Sequence, residues 1–533
     1  MSTNTGFGRI RNLLWPIHRY ELKKFLPFLM MFFLVSFGYS VLRTMKDTLV
    51  VTAQGASAEV IPFIKVWAMF PGAILMTFIY TWLSNRYSGA RVFYTLMTMF
   101  LVYFLVFVLF LYPNHEILHN HGFANFLEMV LPAGCRGLVS MVRNWTFTLF
   151  YVMSELWSNI ILTMLFWGFV NQVTRIDEAK RFYGLFGLGA NLSAIISGQV
   201  SVYLSRKSYD PSLPFGNSSW EQSLILLLSL VLITGFASMC LYYWINKNVL
   251  SDPKFYCEKS KAQEKAMRGK LSLRDSFKHL FQSKYLIYIA VIVVGYNIVI
   301  NLVEVLWKDQ VRMLYPNPSA YNCYINQVST WVGIIATISA LLVSTNAIRR
   351  FGWTFTALLT PLILLLTSVA FFGVLLSKGY LDSSGTLLFG MTPLALAVFV
   401  GSFQNVLSRG AKYTVFDATK EIAFVPLSAE CKVKGKAAID GVFNRMGKSG
   451  GSIIHQTLLI FLTSFAVTAP YIAGILLMII GGWMSAVRLL GKEFNELTHG
   501  ESEATIGENV PTEIVKKSGA DKPIDFGKPG LAQ

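Results

Sequence analysis

Apolar runs of about twenty residues recur along the whole chain, separated by short polar stretches rich in Lys and Arg. A helix needs about 20 apolar residues to cross the hydrocarbon of a bilayer. A strand-based barrel needs alternating polar and apolar residues, and that pattern is missing here. The spacing therefore predicts an all-α membrane protein of about twelve transmembrane helices. Their expected limits are 25–50, 61–83, 91–112, 138–173, 182–204 and 222–245, then 285–307, 323–347, 353–377, 389–416, 439–463 and 467–490. The fourth and tenth are long enough to be tilted or broken.

The net charge is +17, and 54% of the 533 residues are hydrophobic. In a soluble protein that charge would suggest nucleic acid. Here most of the basic residues lie between apolar runs, so they report topology instead, and no nucleic-acid partner is expected. The N-terminal segment 1–24, with Arg9, Arg11, Arg19, Lys23 and Lys24, sorts to one side with "NRYSGAR", "RIDEAKR", "IRRFG" and the linker 246–284. Loops on the other side are poorer in Lys and Arg, with Arg206 and Lys207 as exceptions. Both termini are then expected in the cytoplasm. No small-residue cleavage site follows the first apolar run, so no signal peptide is expected. Segment 491–533 is polar, contains Gly and Pro, and reads as a disordered cytoplasmic tail. The five cysteines are scattered, and no disulfide framework or metal site follows from them.

The chain carries a faint internal duplication. Tyr39 in "YSVLRTMKD" matches Tyr296 in "YNIVINLVE"; Asn191 matches Lys448 and Gln199 matches Gln456, all at an offset of 257 residues. Two six-helix halves, 25–245 and 285–490, joined by the linker, form a major-facilitator-like architecture. Its cargo site is expected between the halves near the bilayer midplane.

Charged residues interrupt the apolar runs at a few places. Tyr39, Arg43, Lys46 and Val50 recur at i, i+4, i+7 and i+11 and share one helix face. Asp47 lies one turn after Arg43 and is placed to pair with it. Asn297, Asn301, Glu304 and Lys308 repeat that spacing on the seventh helix. The competing account of Arg43 and Lys46 is that they snorkel to the headgroups. Glu155 is harder to explain that way, because a carboxylate inside a long apolar run costs on the order of 3 kcal/mol even on lenient scales. It must face a cavity or a partner. Arg143 and Asn144, upstream on the same segment, and Lys412 in "NVLSRGAKYTVFD" are secondary candidates.

Lys448 opens the eleventh helix in "RMGKSGGS". Five residues separate Gly441 from Gly447 and no strand precedes them, so the Walker A reading fails. A Lys among small residues at a helix start still suits an anion, with helix-packing glycines as the structural alternative. A lone His on an apolar helix, His455, reads as a hydrogen-bonded core residue. His115, His119 and His121 have metal-like spacing but no supporting ligands. Cations facing a midplane cavity imply an anionic cargo. A nucleotide fits, with phosphates for the lysines and an exocyclic amino group for a carboxylate; a sugar phosphate or another anionic metabolite would satisfy much of the same pattern. In the empty protein the lysines and glutamates are free to pair with one another. A membrane-embedded enzyme fits the midplane charges less well.

Several long stretches then carry a family resemblance: "GASAEVIPFIKVW", "RNWTFTLFYVMSELW", "WGFVNQVTRIDEAKRFY", "NLVEVLWKDQ", "FDATKEIAFVPL" and "KVKGKAAIDG" with "GKSGGS". They resemble the ATP/ADP translocases, or nucleotide transporters, of chlamydia-like bacteria, rickettsiae and plastids, from residue 7 to about 495. The resemblance implies a multi-pass protein of a bacterial inner membrane, without cofactor, that moves ATP, ADP or other nucleoside triphosphates. It implies that Lys46, Glu155, Glu304 and Lys448 are the charges critical for transport. It leaves open exchange of ATP for ADP plus phosphate, or net import driven by protons.

Overall fold

The computed structural model describes residues 17–252, 283–342, 346–383, 385, 387, 390–427, 431, 435, 436 and 438–508. The linker residues 253–282 and the tail beyond 508 lie outside the described residues.

Among the described residues twelve long helices follow one another: α1 Leu22–Val51, α2 Val60–Arg86, α3 Gly89–Leu111, α4 Trp145–Val173, α5 Ile176–Ser205 and α6 Ser219–Asn248. The second half repeats the set: α7 Lys284–Leu314, α8 Pro318–Leu342, α9 Phe351–Ser383, α10 Pro393–Ala411, α11 Asn444–Leu462 and α12 Phe465–Leu497. Several starts carry hydroxyl caps. The Ser218, Ser283 and Thr392 side chains accept from the backbone N–H groups of Glu221, Leu286 and Ala395, and Pro393 follows Thr392 as the first residue of α10. Thr463 ends α11 in the left-handed region at φ 67°.

Nine of these helices, among the described residues, are apolar and long enough to be read as membrane spans by composition. The exceptions are α8, α10 and α11. They carry Asn322 and Asn326, Gln404, Asn405 and Arg409, and Asn444, Arg445 and Lys448. Of these helices, α8 and α10 wall the central cavity, and the polar residues of α11 bind it to α7.

The long fourth and tenth segments are interrupted, as their length suggested. A short helix Arg136–Arg143 ends at Asn144, which leaves helical geometry at φ −101°, ψ 48° before α4 begins. A π-helical stretch, Ser158–Phe166, sits within α4, and another, Lys412–Phe416, carries α10 on into Asp417–Ala423. Such widened turns re-aim side chains and recur at functional sites. Two short helices, His115–Leu118 and His121–Val130, lie between α3 and α4. The last helix runs unbroken from Phe465 to Glu508. Residues 491–508, read from composition as the start of a disordered tail, are therefore helical and continue α12, since adding residues to a helix already nucleated in the bundle is easier than starting one.

Each half is organised around its first helix. In the first half α1 packs on α4, α5 and α6; in the second α7 packs on α10, α11 and α12. Across the halves α5 packs on α8, and α2 on α11. The α5–α8 contact runs from Ser205 and Asn322 as far as Asn191 and Gly333, and further cross-half contacts lie where α1 and α7 finish. There Asn322 Nδ2 donates to Ser205 Oγ at 2.9 Å, and Arg312 Nε donates to the Val51 carbonyl at 2.9 Å. Gly134 lies so close to α11 that a Cβ on it would stand 2.1 Å from the Leu459 carbonyl oxygen. The halves are sealed at this end and part towards the other, the end where α1 begins.

Candidate functional site

Between the halves lies a cavity of about 570 Å³, walled by α1, α4, α5, α7, α8 and α10. Its closed end holds Asp47 and Lys308, and it extends along α1 past Arg43 and Tyr39 to Phe32. The π-helical stretches of α4 and α10 contribute Ser158, Leu162, Thr163, Lys412 and Tyr413 to its lining.

The stripe expected on the first helix divides. Tyr39, Arg43 and Asp47, four residues apart, line the cavity. Lys46 turns away from it towards α4 and is 2% exposed. Its ammonium donates to Asp47 Oδ1 at 2.8 Å, reaches Glu155 Oε1 at 3.0 Å, and sits 3.8 Å from the centroid of the Tyr151 ring. Asp47 does not pair with Arg43 as its spacing suggested. Its second oxygen accepts from Lys308 Nζ across the two halves at 2.8 Å. A lysine facing the carboxylate from α7 and another beside it in the chain satisfy both oxygens, and Arg43 is left to the cavity.

Glu304 is held by Lys308 Nζ and by Arg409 Nη2, each at 2.8 Å. One continuous network results, from Glu155 through Lys46, Asp47, Lys308 and Glu304 to Arg409. Buried ion pairs lose much of their attraction to desolvation, but removing one member of such a chain leaves an uncompensated charge. The empty protein therefore holds the lysine–glutamate pairing that the sequence allowed.

Lys448 is solvent-accessible on α11, and its electrostatic neighbours are Lys412, Glu155, Tyr413 and Arg43. The glycines around it have a separate task. A Cβ on Gly447 would stand 2.7 Å from Asn297 Cβ, and one on Gly451 would stand 2.9 Å from Asn301 Cβ. They let α11 approach α7 rather than a ligand.

Four secondary candidates lie away from the network. Asn297 Nδ2 donates to Asn444 Oδ1 and Asn301 Nδ2 to the Lys448 carbonyl, both at 2.9 Å, so both asparagines bind α7 to α11 within one half. They share a helix face with Glu304, but α11 covers that face before it reaches the cavity. Arg143 pairs with Glu128 at 2.7 Å at the sealed end of the molecule. Asn144 Nδ2 donates to the Ser140 carbonyl at the helix break. Their place in an apolar run reflects the helix break at Asn144, which is itself buried.

Two charges of the site were not singled out from the sequence. Lys65 lies in the π-helical stretch Ile64–Met69 of α2, with Glu304, Lys308, Lys46 and Glu155 as electrostatic neighbours. Arg409 lines the cavity from α10. Both interrupt apolar runs, "IPFIKVW" and "NVLSRGAK", and that interruption was the available signal. His455 is fully buried, with its Nε2 3.1 Å from the Leu302 carbonyl oxygen, a core contact.

Among Arg43, Lys46, Lys65, Lys308, Arg409, Lys412 and Lys448, the three carboxylates Asp47, Glu155 and Glu304 engage only Lys46, Lys308 and Arg409. Arg43, Lys65, Lys412 and Lys448 make no ion pair among the described residues. Such an excess of positive charge around a hollow attracts a polyanion.

A family model described as "TLC ATP/ADP transporter" matches residues 1–494. The ADP,ATP carrier protein 1 of Chlamydia pneumoniae is 46% identical over 490 residues, covering 92% of this chain and 94% of its own. The chloroplastic ADP,ATP carrier protein 1 of Arabidopsis thaliana is 42% identical over 478 residues, covering 89% of this chain and 74% of its own. Among solved structures, the inward-open xylose transporter XylE from E. coli superposes with a TM-score of 0.53 at 12% identity, covering 89% of this chain and 100% of its own. A bacterial homologue of the iron transporter ferroportin, inward-facing, superposes with a TM-score of 0.52 at 13% identity, covering 90% and 99%. At those identities the two structures speak to the fold alone.

Proposed function

The chain belongs to the TLC ATP/ADP transporter family, and from that premise we propose that it is a carrier, not an enzyme, moving ATP and ADP across a bilayer by alternating access. The observation that carries this reading is a surplus of cations without an ion-pair partner among the described residues: Arg43 and Lys412 line the hollow between the halves, and Lys65 and Lys448 lie within electrostatic reach of its charges. A nucleotide's polyphosphate carries compensating charge in a form that arginine and lysine bind well. Relatives named as ADP,ATP carriers support the same cargo.

In this reading Lys46 and Lys448 hold phosphates from opposite halves. Glu155, paired with Lys46 in the empty site, exchanges that partner for the base or ribose when cargo arrives. Glu304 does the same opposite Lys308 and Arg409. The halves rock about the site, and the sealed end opens as the hollow end closes. The protein sits in a bacterial inner membrane with both termini in the cytoplasm, as the distribution of Lys and Arg favours. Residues 246–284 then form a cytoplasmic link between the halves.

Purified protein in liposomes tests this. Uptake of labelled ATP is expected with ADP inside, and its loss is expected in Lys46→Ala and Lys448→Ala at unchanged insertion. Retained uptake in both variants overturns the assignment. An imposed proton gradient, with no internal nucleotide, separates exchange from proton-driven import.

A further inference from the structure

The seam that seals the two halves ends in a second hollow, on the opposite face from the mouth of the central cavity. Its volume is about 930 Å³. The first half supplies the end of α5 and the start of α6, and the second supplies the end of α7 and the start of α8. The wall between the two hollows includes Asn322, whose Nδ2 donates to Ser205 Oγ and whose Oδ1 accepts from Thr48 Oγ1 at 3.2 Å.

Independent features make this hollow electropositive. Arg206 and Lys207 line it, and both are exposed. They are the pair that breaks the charge asymmetry of the loops. Two long helices also begin there: α6, capped by Ser218, and α8, where Asn317 Oδ1 accepts from the Ser319 N–H at 2.8 Å. Helix N-termini carry partial positive charge. Of the nearby carboxylates, Asp210 accepts from the Ser212 N–H and hydroxyl and lies within electrostatic reach of Lys207, and Glu221 accepts from the Asn217 N–H. Neither lines the hollow.

The bland account is that Arg206 and Lys207 complement the C-terminal dipole of α5. It does not explain why the Arg206 guanidinium reaches across the seam to Gln327 Oε1 at 3.3 Å. Nor does it explain the rest of the lining. Ser319 Oγ is enclosed there with no hydrogen-bond partner among the described residues. Tyr315 and Tyr324 stack with ring centroids 4.9 Å apart, which gives the hollow an aromatic wall.

We infer that this hollow is a second, peripheral binding site for the phosphate groups of a nucleotide, where cargo is collected beside the sealed seam before the seam opens. Arg206 and Lys207 meet the phosphates, and the tyrosines meet the base. The inference rests on the nucleotide reading of the central cavity. A site of this kind raises the local concentration of cargo, so it governs entry from its own face only. An anionic phospholipid headgroup offers the same phosphate chemistry from a different source.

The test uses the full-length protein, reconstituted in phosphatidylcholine vesicles with and without phosphatidylglycerol, with α-³²P-ATP offered to one face at a time. In Arg206→Gln/Lys207→Gln the half-saturating ATP concentration is expected to rise roughly tenfold at the face that bears the hollow. It stays unchanged at the other face, in both lipid mixtures, and Arg206→Lys/Lys207→Arg retains the wild-type value. No change at the hollow's face overturns the inference. So does an equal change at both faces, which marks a structural role. So does a change confined to vesicles with phosphatidylglycerol, which assigns the hollow to lipid. If the double variant does not insert, the exposed Lys207→Gln alone serves the same comparison. Absence of ATP uptake by the wild-type protein fails the carrier reading instead, so the two failures are distinct.

Discussion

Asp47 ties the two halves together: its Oδ1 accepts from Lys46 on its own helix and its Oδ2 from Lys308 on α7, each at 2.8 Å. All three groups are at most 5% exposed, and they stand where the central cavity closes. The carboxylate is thus the shared counter-ion of one lysine from each half. The seal continues outward through Arg312 to the Val51 carbonyl and through Asn322 to Ser205.

Asp47→Asn leaves Lys46 and Lys308 with only Glu155 and Glu304 as anionic partners. Breaking a buried pair of this kind costs about 3–5 kcal/mol. The sealed state is expected to lose most of its population, so a cysteine placed at Thr52 becomes reactive to a membrane-impermeant thiol reagent. Unchanged labelling relative to the same cysteine in the wild-type background contradicts the role of Asp47 as a tether.

Arg43 and Lys412 face the cavity without a carboxylate partner, so their loss should weaken cargo binding without disturbing the fold. A hydrogen bond to a charged group contributes about 1.5–3 kcal/mol, or roughly 10- to 100-fold in affinity. Arg43→Gln and Lys412→Gln are each expected to weaken ATP binding by that factor and AMP binding by less. Equilibrium binding of the labelled nucleotides measures both, and equal losses for ATP and AMP would place these cations away from the phosphates.

Gly134 is fixed by contact. A Cβ there would meet the Leu459 carbonyl oxygen at 2.1 Å and Ile460 Cα at 2.5 Å, and both are backbone atoms that cannot turn aside. Gly134→Val should therefore wedge the loop away from α11 and oppose sealing. The expected reading is slower ATP exchange with the protein still inserted, and restored exchange under conditions that favour the open seam. Wild-type exchange in Gly134→Val would mean the approach relaxes freely.

His119 sits between the membrane spans, in the short-helix region after α3. Burial, reinforced by the nearby His115 and His121, holds its imidazole down at about 4. In the unfolded chain it titrates near 6.5, so the folded state disfavours the charged form. Its contribution to stability is complete above about pH 6.5 and is lost as the pH falls towards 4. Thermal denaturation in detergent should show a Tm that drops across that window, and His119→Asn should flatten the slope. The neutral ring is also 2.7 Å from Thr146 Oγ1 at the start of α4, so Thr146→Val is expected to lower Tm at neutral pH. Equal slopes for wild type and His119→Asn would exclude the titration.

The sequence by itself determined the helical membrane architecture, because a run of apolar residues has few ways to satisfy its backbone in lipid. It also singled out Glu155, Lys46, Glu304 and Lys448, since a charge inside such a run is costly unless something faces it. What faces each charge was decided only by the tertiary structure. Helical periodicity places Asn301 and Glu304 on one face of α7, yet α11 covers the first and the cavity opens onto the second. The spacing of Arg43 and Asp47 allowed a pair within α1, and the arrival of Lys308 from the other half replaced it. Lys65 and Arg409 joined the site because α2 and α10 bring them there from far along the chain. The physical reason is that a helix fixes the direction of its side chains, while the strength of a charge interaction depends on partners brought near by packing across the halves.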